Sequence, residues 1–205
     1  EKRAVLLLSG GLDSGSLLFW ALHRGWEILP LLVDYGQTPL PGESRAVSAL
    51  LELAGLAPIQ PISVREVATL GRDVPTKSAD RDAMSADYFP SRNLLLITLA
   101  SVYASANDVS RIMIGLVGDA VASLPDCSPQ FLQSLQKVLA LEYPQLALQA
   151  PFIQRSKIEV VGGAMEYGFR PELTFCCNRL ADHHCWTCAS CLDRLRVFRS
   201  LDLIQ

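Results

Sequence analysis

Two stretches of this chain concentrate residue types that do chemistry. Near the N-terminus an apolar run breaks into Ser9-Gly10-Gly11-Leu12-Asp13-Ser14 and turns apolar again at once. Glycines let backbone N–H groups approach an anion with no Cβ in the way. A helix beginning at about Ser14 would add partial positive charge at its N-terminus. With serine hydroxyls as further donors, the stretch suits a phosphate or pyrophosphate. On local grounds alone, a Gly-Gly turn with Asp or Ser capping a helix accounts for the same residues about as well. Neither G-x-x-x-x-G-K-[ST] nor G-x-G-x-x-G is present.

The second stretch is cysteine-rich. Of the six cysteines, Cys127 stands alone, whereas Cys176, Cys177, Cys185, Cys188 and Cys191 crowd together near the C-terminus. Cys185, Cys188 and Cys191 form C-x-x-C-x-x-C, and a fourth thiolate upstream would complete a tetrahedral zinc shell. Cys176 and Cys177 both qualify, and His183 and His184 are also zinc-competent. Such spacing can instead hold an iron–sulfur cluster. A disulfide framework would spread its cysteines along a small secreted chain, so metal is the expectation.

These stretches sit in a chain of 205 residues, half of them apolar, with a net charge of −3. The length suits a single domain. The near-balanced charge disfavours nucleic acid as a direct partner. No apolar run approaches the ~20 residues a membrane helix needs, and the N-terminus does not read as a signal peptide. A soluble, cytoplasmic protein is the expectation.

Strand and helix patterns alternate along the chain. Strands are expected at Ala4–Leu8, through "EILPLLVDYGQ" to Asp34, in "APIQPISV" at an edge or irregular position, and in "RIMIGL" up to Gly115. Helices are expected at Ser14–His23, Glu43–Leu53, Ser91–Ala106 with Ser91 as a cap, Pro129–Leu141, Ser156–Tyr167 and Leu192–Leu201. Residues 66–90 read as a long polar loop. The alternation predicts an α/β fold: a doubly wound, mostly parallel sheet with helices on both faces. Ligands then sit at the carboxyl ends of the strands. The stretches Ser9–Ser14, Asp34–Gln37 and Gly115–Cys127 all follow strands.

Single residues add to the pattern. Arg92 and Asn93 open a helix, where an arginine is electrostatically unhelpful, which favours a role in binding nucleotide or substrate. Asp119 and Asp126 fall in the loop after the "RIMIGL" strand, and loop aspartates usually serve turns. Phe131 could stack on a flat heterocycle, though a phenylalanine near a helix start is more often core. Cys127 reads as a packing residue rather than a nucleophile.

Ser-Gly-Gly-Leu-Asp-Ser directly after the first strand resembles the PP-loop of the ATP pyrophosphatases, which cleave ATP between the α and β phosphates. "VDYGQ", "PSRN" (90–93), "LPDC" (124–127) and "CCNRLADHHCWTCASCLDR" extend the resemblance over nearly the whole chain to the 7-cyano-7-deazaguanine synthases, the QueC family. The resemblance implies a PP-loop fold spanning residues 1–205, with a zinc-binding segment at about 174–194 and a short C-terminal helix. It implies adenylation of 7-carboxy-7-deazaguanine, then amide formation with ammonia, and a second activation that yields a nitrile.

The implied site follows residue by residue. Ser9, Asp13, Ser14 and Lys157 would be catalytic, the lysine near the phosphates. Ser9, Gly10, Gly11, Leu12, Asp13, Ser14, Asp34, Arg92, Asn93 and Gly115 would hold ATP with Mg²⁺. Tyr35, Gln37, Asp119, Asp126 and Phe131 would contact the 7-deazaguanine substrate. Cys177, Cys185, Cys188 and Cys191 would bind a structural Zn²⁺, with Cys177 preferred because of its distance from Thr174. The family is commonly dimeric, which implies a homodimer.

Two stretches depart from the family. After Tyr-Gly-Gln the chain reads "TPLPGES", without the usual Arg-His, and before Pro-Asp-Cys it reads "DAVASL". Both changes fit an enzyme that makes the acyl-adenylate but passes it to another amine, or that stops at the amide. QueC-like proteins of bacterial antiviral operons, thought to modify a protein N-terminus, look like such a branch. Another PP-loop enzyme that modifies tRNA is a further reading, which the acidic balance speaks against.

Overall fold

The computed structural model describes residues 2–67, 91–121 and 124–204. The loop expected at 66–90 lies outside the described residues from 68 onward, as does Pro90.

Strands β1 (Arg3–Leu7), β2 (Glu27–Leu31), β5 (Arg111–Met113) and β6 (Ala147–Gln149) form one sheet in the order β2-β1-β5-β6. Every pairing in it is parallel, with Val5 opposite both Leu29 and Ile112. Parallel strands need crossovers, and helices supply them. These helices are α1 (Leu12–His23), α2 (Leu40–Leu53), α3 (Arg92–Ala106), a short α4 (Gly118–Val121), α5 (Pro129–Glu142), α6 (Lys157–Met165) and α7 (Ala189–Ser200).

The central strand β1 shows why both sheet faces are covered. Its side chains alternate between two separate cores. Ala4 and Leu6, with Leu8 just beyond, join Leu17, Leu50, Phe152, Val161 and Val197 on the face of α1, α2, α6 and α7. Val5 and Leu7 join Ile97, Ala100, Leu135 and Leu139 on the face of α3 and α5. A strand buried on both sides reads as continuous apolar sequence, which is what Ala-Val-Leu-Leu-Leu supplies. The doubly wound α/β arrangement is therefore the observed fold.

The structure corrects three local readings. The strand expected through to Asp34 breaks after Leu31. There β1 turns into the Ser9–Ser14 loop and offers no further partner. Residues Val33–Asp34 (β3) pair instead with Ile62–Ser63 (β4) in a two-stranded parallel sheet. Pro30 is tolerated because β2 is an edge strand. Ser91 precedes α3 but does not cap it through its side chain, since its backbone is left-handed at φ 63. Strand β6, at the other edge, was not expected, because three half-buried residues carry no readable period.

Two helices begin with strong local signals. The Ser128 hydroxyl accepts from the Phe131 N–H at the start of α5. Ser156 and Glu159 form a reciprocal capping box that sets the start of α6 at Lys157.

Candidate active site

The phosphate-loop stretch leaves β1 and enters α1 without a side-chain cap. Gly11 stands at the N-cap in extended backbone and has no side chain to offer the first-turn N–H groups. Leu12, Asp13 and Ser14 of that first turn line the same cavity as Ser9, and uncapped helix N-termini favour anions. The Ser9 N–H donates to Ser14 Oγ at 3.2 Å, and the two hydroxyls lie 3.2 Å apart. Gly10 has φ +76, and a Cβ there would meet the Glu43 carbonyl oxygen at 2.8 Å. The loop is thus pressed onto α2 by a residue that only glycine can be.

Lys157, placed by the capping box, reaches the same loop. Its Nζ lies 3.2 Å from Asp13 Oδ2 and 2.6 Å from Asp193 Oδ2. Burial works against its charge, but the two carboxylates outweigh burial and hold its pKa above the usual lysine value. Asp193 in turn binds Arg196, whose Nη2 also donates to Asp119 Oδ2 at 2.9 Å. Asp119 Oδ2 accepts the Lys157 backbone N–H at 3.1 Å. Burial penalises the Asp193 charge, yet Lys157 and Arg196 draw its pKa below the usual carboxylate range. For Asp13, burial prevails over the attraction of Lys157 and raises the pKa. Its Oδ1 is buried and has no hydrogen-bond partner among the described residues.

The opposite wall comes from the loop after β3 and the start of α3. Gln37 Oε1 accepts the Tyr35 N–H, and Gln37 Nε2 donates to Glu43 Oε2, each at 2.9 Å. Burial raises the pKa of both Tyr35 and Glu43, and the Arg92 guanidinium works against that rise in each. Asn93 is buried and donates through Nδ2 to the Asp126 carbonyl at 3.1 Å. The Asp126 carboxylate accepts the Asn93 backbone N–H in the first turn of α3. Burial, aided by the Asp126 charge, pushes the Cys127 thiol up to about 11, a poor state for a nucleophile.

These walls enclose a cavity of about 330 Å³ at the carboxyl ends of β1 and β5. Ser9, Gly11, Leu12, Asp13, Ser14, Tyr35, Gln37, Arg92, Asn93, Gly115 and Lys157 all line it. Gly10, Asp34, Asp119, Asp126 and Phe131 are not among the lining residues. Gly10 faces α2. Asp34 is buried, accepts the Gly36 N–H and the Ser63 hydroxyl, and pairs with Arg65 at 2.8 Å. Asp119 belongs to the Lys157 network, Asp126 to the start of α3, and Phe131 packs against the core beneath α3 and α5.

Several lining residues were missed in the sequence: Glu43, Phe175, Asn178, Ser190, Asp193 and Arg194; Cys176, expected only as an alternative metal ligand, lines the cavity too. Asp193 and Arg194 follow a predicted metal ligand by two and three residues, which was an available signal. Arg194 is buried and donates to Thr174 Oγ1 and to the Pro171 carbonyl.

The sulfurs of Cys177, Cys185, Cys188 and Cys191 all lie within 4.8 Å of one another, so these residues could hold a metal ion. Cys185 Sγ accepts from the N–H groups of Thr187 and Cys188, and Cys177 Sγ from that of Leu180. Hydrogen bonds led by that of the Thr187 hydroxyl draw the Cys185 thiol down to about 5, whereas burial raises Cys191. Cys176 stands outside the quartet. Its thiol donates to the Ser190 carbonyl at 3.4 Å and faces the cavity.

A parallel sheet, a glycine-serine loop at its switch from β1 to α1, and an appended cysteine quartet define a PP-loop-type α/β fold. Solved structures agree on that fold. A 4-thiouridine synthetase in complex with RNA and ATP superposes with TM-score 0.57 at 19% identity, over 98% of this chain and 50% of that one. The U34-tRNA thiolase NcsA from Methanococcus maripaludis, with its [4Fe-4S] cluster, gives 0.53 at 17%, over 98% of this chain and 64% of that one. The sequence matches the family model "Queuosine biosynthesis protein QueC" over residues 3–202, and the chain belongs to that family. The 7-cyano-7-deazaguanine synthase 1 of Desulfitobacterium hafniense is 33% identical, with 97% of this chain and 92% of the relative covered. The 7-cyano-7-deazaguanine synthase of Halobacterium salinarum is 30% identical, over 98% and 92%. Among the described residues, no helix is long and apolar enough to cross a membrane.

Proposed function

We propose that this chain is an ATP-dependent carbon–nitrogen ligase acting on 7-carboxy-7-deazaguanine. A single observation carries the reading: Gly11 at the uncapped start of α1, Ser9, Ser14 and Lys157 all line one cavity. A carboxylate resists nucleophiles at neutral pH. Its oxygen attacks the α-phosphorus of ATP, the bond to the bridging oxygen breaks, and pyrophosphate leaves with that electron pair. Ammonia then attacks the activated carbonyl carbon, AMP departs, and a proton is lost to give the amide. The amide oxygen attacks the α-phosphorus of a second ATP, pyrophosphate leaves again with the electron pair of the bridging oxygen, and loss of AMP with the two N–H protons gives the nitrile.

The chain's own contribution is positioning and charge. The α1 N–H groups and the serines hold the departing phosphates, and Lys157 meets the negative charge that develops there. Tyr35, Gln37, Arg92 and Asn93 are proposed to orient the adenosine and the heterocycle. Mg²⁺ supplies further neutralisation when bound, and Asp13, with one buried oxygen unpartnered among the described residues, fits as its holder. The thiolate quartet suits a structural Zn²⁺. Zn–S bonds of about 2.3 Å imply sulfurs roughly 3.8 Å apart, and Cys185 and Cys191 stand at 3.9 Å. A four-iron cluster would set the thiolates further apart, because the irons lie between them.

The test is mass spectrometry of the protein with ATP, Mg²⁺ and 7-carboxy-7-deazaguanine, with and without ammonia. AMP, pyrophosphate and a nitrile are expected. AMP with only an adenylate or amide would redirect the final step to another acceptor, such as a protein N-terminus, in keeping with the altered "TPLPGES" stretch. No AMP at all would overturn the reading. Ser14→Ala and Lys157→Ala should each abolish AMP formation in folded protein.

A further inference from the structure

Resting on the reading of Lys157 as the cation at the phosphates, we propose that Arg196 is a positioning residue for Lys157. It stands outside the cavity and acts through Asp193 and Asp119.

The geometry is a closed ring. Arg196 Nη2 donates to Asp193 Oδ1 at 2.8 Å and to Asp119 Oδ2 at 2.9 Å, and its Nε donates to Asp193 Oδ1 at 3.2 Å. Those carboxylates grip the two ends of Lys157. Asp119 accepts the backbone N–H at 3.1 Å, and Asp193 holds Nζ at 2.6 Å. One guanidinium thereby joins α4, α6 and α7 around a single lysine. A lysine has a flexible four-carbon stem and no directional fork of its own, so its aim is set by what surrounds it.

Charge makes the bridge consequential. Asp13, Asp119 and Asp193 form a set of three carboxylates, and among the described residues Lys157 and Arg196 are the cations paired with it. Without Arg196, Asp119 and Asp193 would repel each other across the lysine. Arg196 is 52% exposed, and solvated ion pairs contribute little to stability. Displacing a phosphate-facing cation by about 1 Å, in contrast, lowers rates up to roughly 100-fold. The consequence of losing Arg196 therefore falls on turnover and not on folding.

The experiment uses the full-length, metal-loaded protein and follows pyrophosphate release with ATP varied. Arg196→Gln should lower kcat by about 10- to 100-fold, with a thermal midpoint within about 3 °C of the parent. Arg196→Lys should recover part of the rate, because an ammonium keeps the charge but cannot span both carboxylates. In an Asp193→Asn background, Arg196→Gln should add a smaller loss than it does alone. Arg3→Gln, which breaks a surface ion pair with Glu27, serves as the unaffected control. Full turnover in Arg196→Gln beside an inactive Lys157→Ala would overturn the proposal alone. So would a rate loss that follows a lowered midpoint and adds fully to Asp193→Asn. Full turnover in Lys157→Ala would overturn the underlying reading of the lysine.

Discussion

Gly115 lies so close to Asp13 that a Cβ at 115 would stand 2.9 Å from the Asp13 carbonyl carbon and oxygen, and equally close to the Ser14 nitrogen. The end of β5 thus touches the phosphate loop backbone to backbone. Backbone atoms cannot rotate aside as a side chain can, so Gly115→Ala must push the loop away. Expected results are a loss of about 1–3 kcal/mol in denaturant unfolding and a fall of about 100-fold in AMP formation. Unchanged kinetics would mean that the loop tolerates displacement.

Asp13 and Asp193 share Lys157 yet should respond to pH in opposite senses. The Asp193 carboxyl is held below its ordinary value, chiefly because Lys157 and Arg196 overcome burial. Its charge therefore stabilises the fold above about pH 4, and that stabilisation fades as pH falls through the folded value. Asp13 is raised by burial, so its ionisation works against folding at neutral pH. Urea unfolding should show Asp193→Asn less stable than the parent at pH 7, with the gap beginning to narrow only as pH falls below about 4. Asp13→Asn should be as stable as the parent or more so at pH 7, while losing AMP formation. Equal destabilisation by both would contradict this account.

Metal analysis should find about one zinc per chain. Cys177→Ser should lose the metal and Cys176→Ser should keep it, since the Cys176 sulfur bonds the Ser190 carbonyl outside the quartet. Chelation should lower stability by about 4 kcal/mol or more, the range typical of a lost metal site. Iron with labile sulfide would replace zinc as the assignment.

Asp126→Asn separates two roles for that carboxylate. It accepts the Asn93 N–H in the first turn of α3 and is 4% exposed. Loss of its charge at a helix N-terminus should reduce stability by about 1 kcal/mol with little change in KM for the acid. A raised KM in fully stable protein would place Asp126 at the substrate.

Much of this was legible in the chain itself. Apolar β1, followed by the glycine-serine loop, reads directly because a strand buried on both faces has no polar positions. Lys157 was singled out through the family resemblance, and the capping box of Ser156 and Glu159 that starts its helix emerged only in the structure. Three members of the quartet were legible because Cys185, Cys188 and Cys191 sit three residues apart. Asp193, Arg196 and Glu43 were not. Their roles depend on partners far away in sequence: Arg196 and Asp119 are 77 positions apart, and no local pattern encodes such a pairing.

The sequence by itself determined the doubly wound fold, the glycine-serine loop after β1 and the cysteine spacing, because each follows from short-range periodicity or from motifs a few residues long. Tertiary structure alone decided which candidates line the cavity. It turned Asp126 onto α3, Asp34 onto Gly36, Ser63 and Arg65, and Phe131 against the core, and it left Cys177 rather than Cys176 in the quartet. The physical reason is that a buried carboxylate or thiol must find a partner wherever the packed elements offer one. That partner is set by how α3, α6 and α7 dock on the sheet.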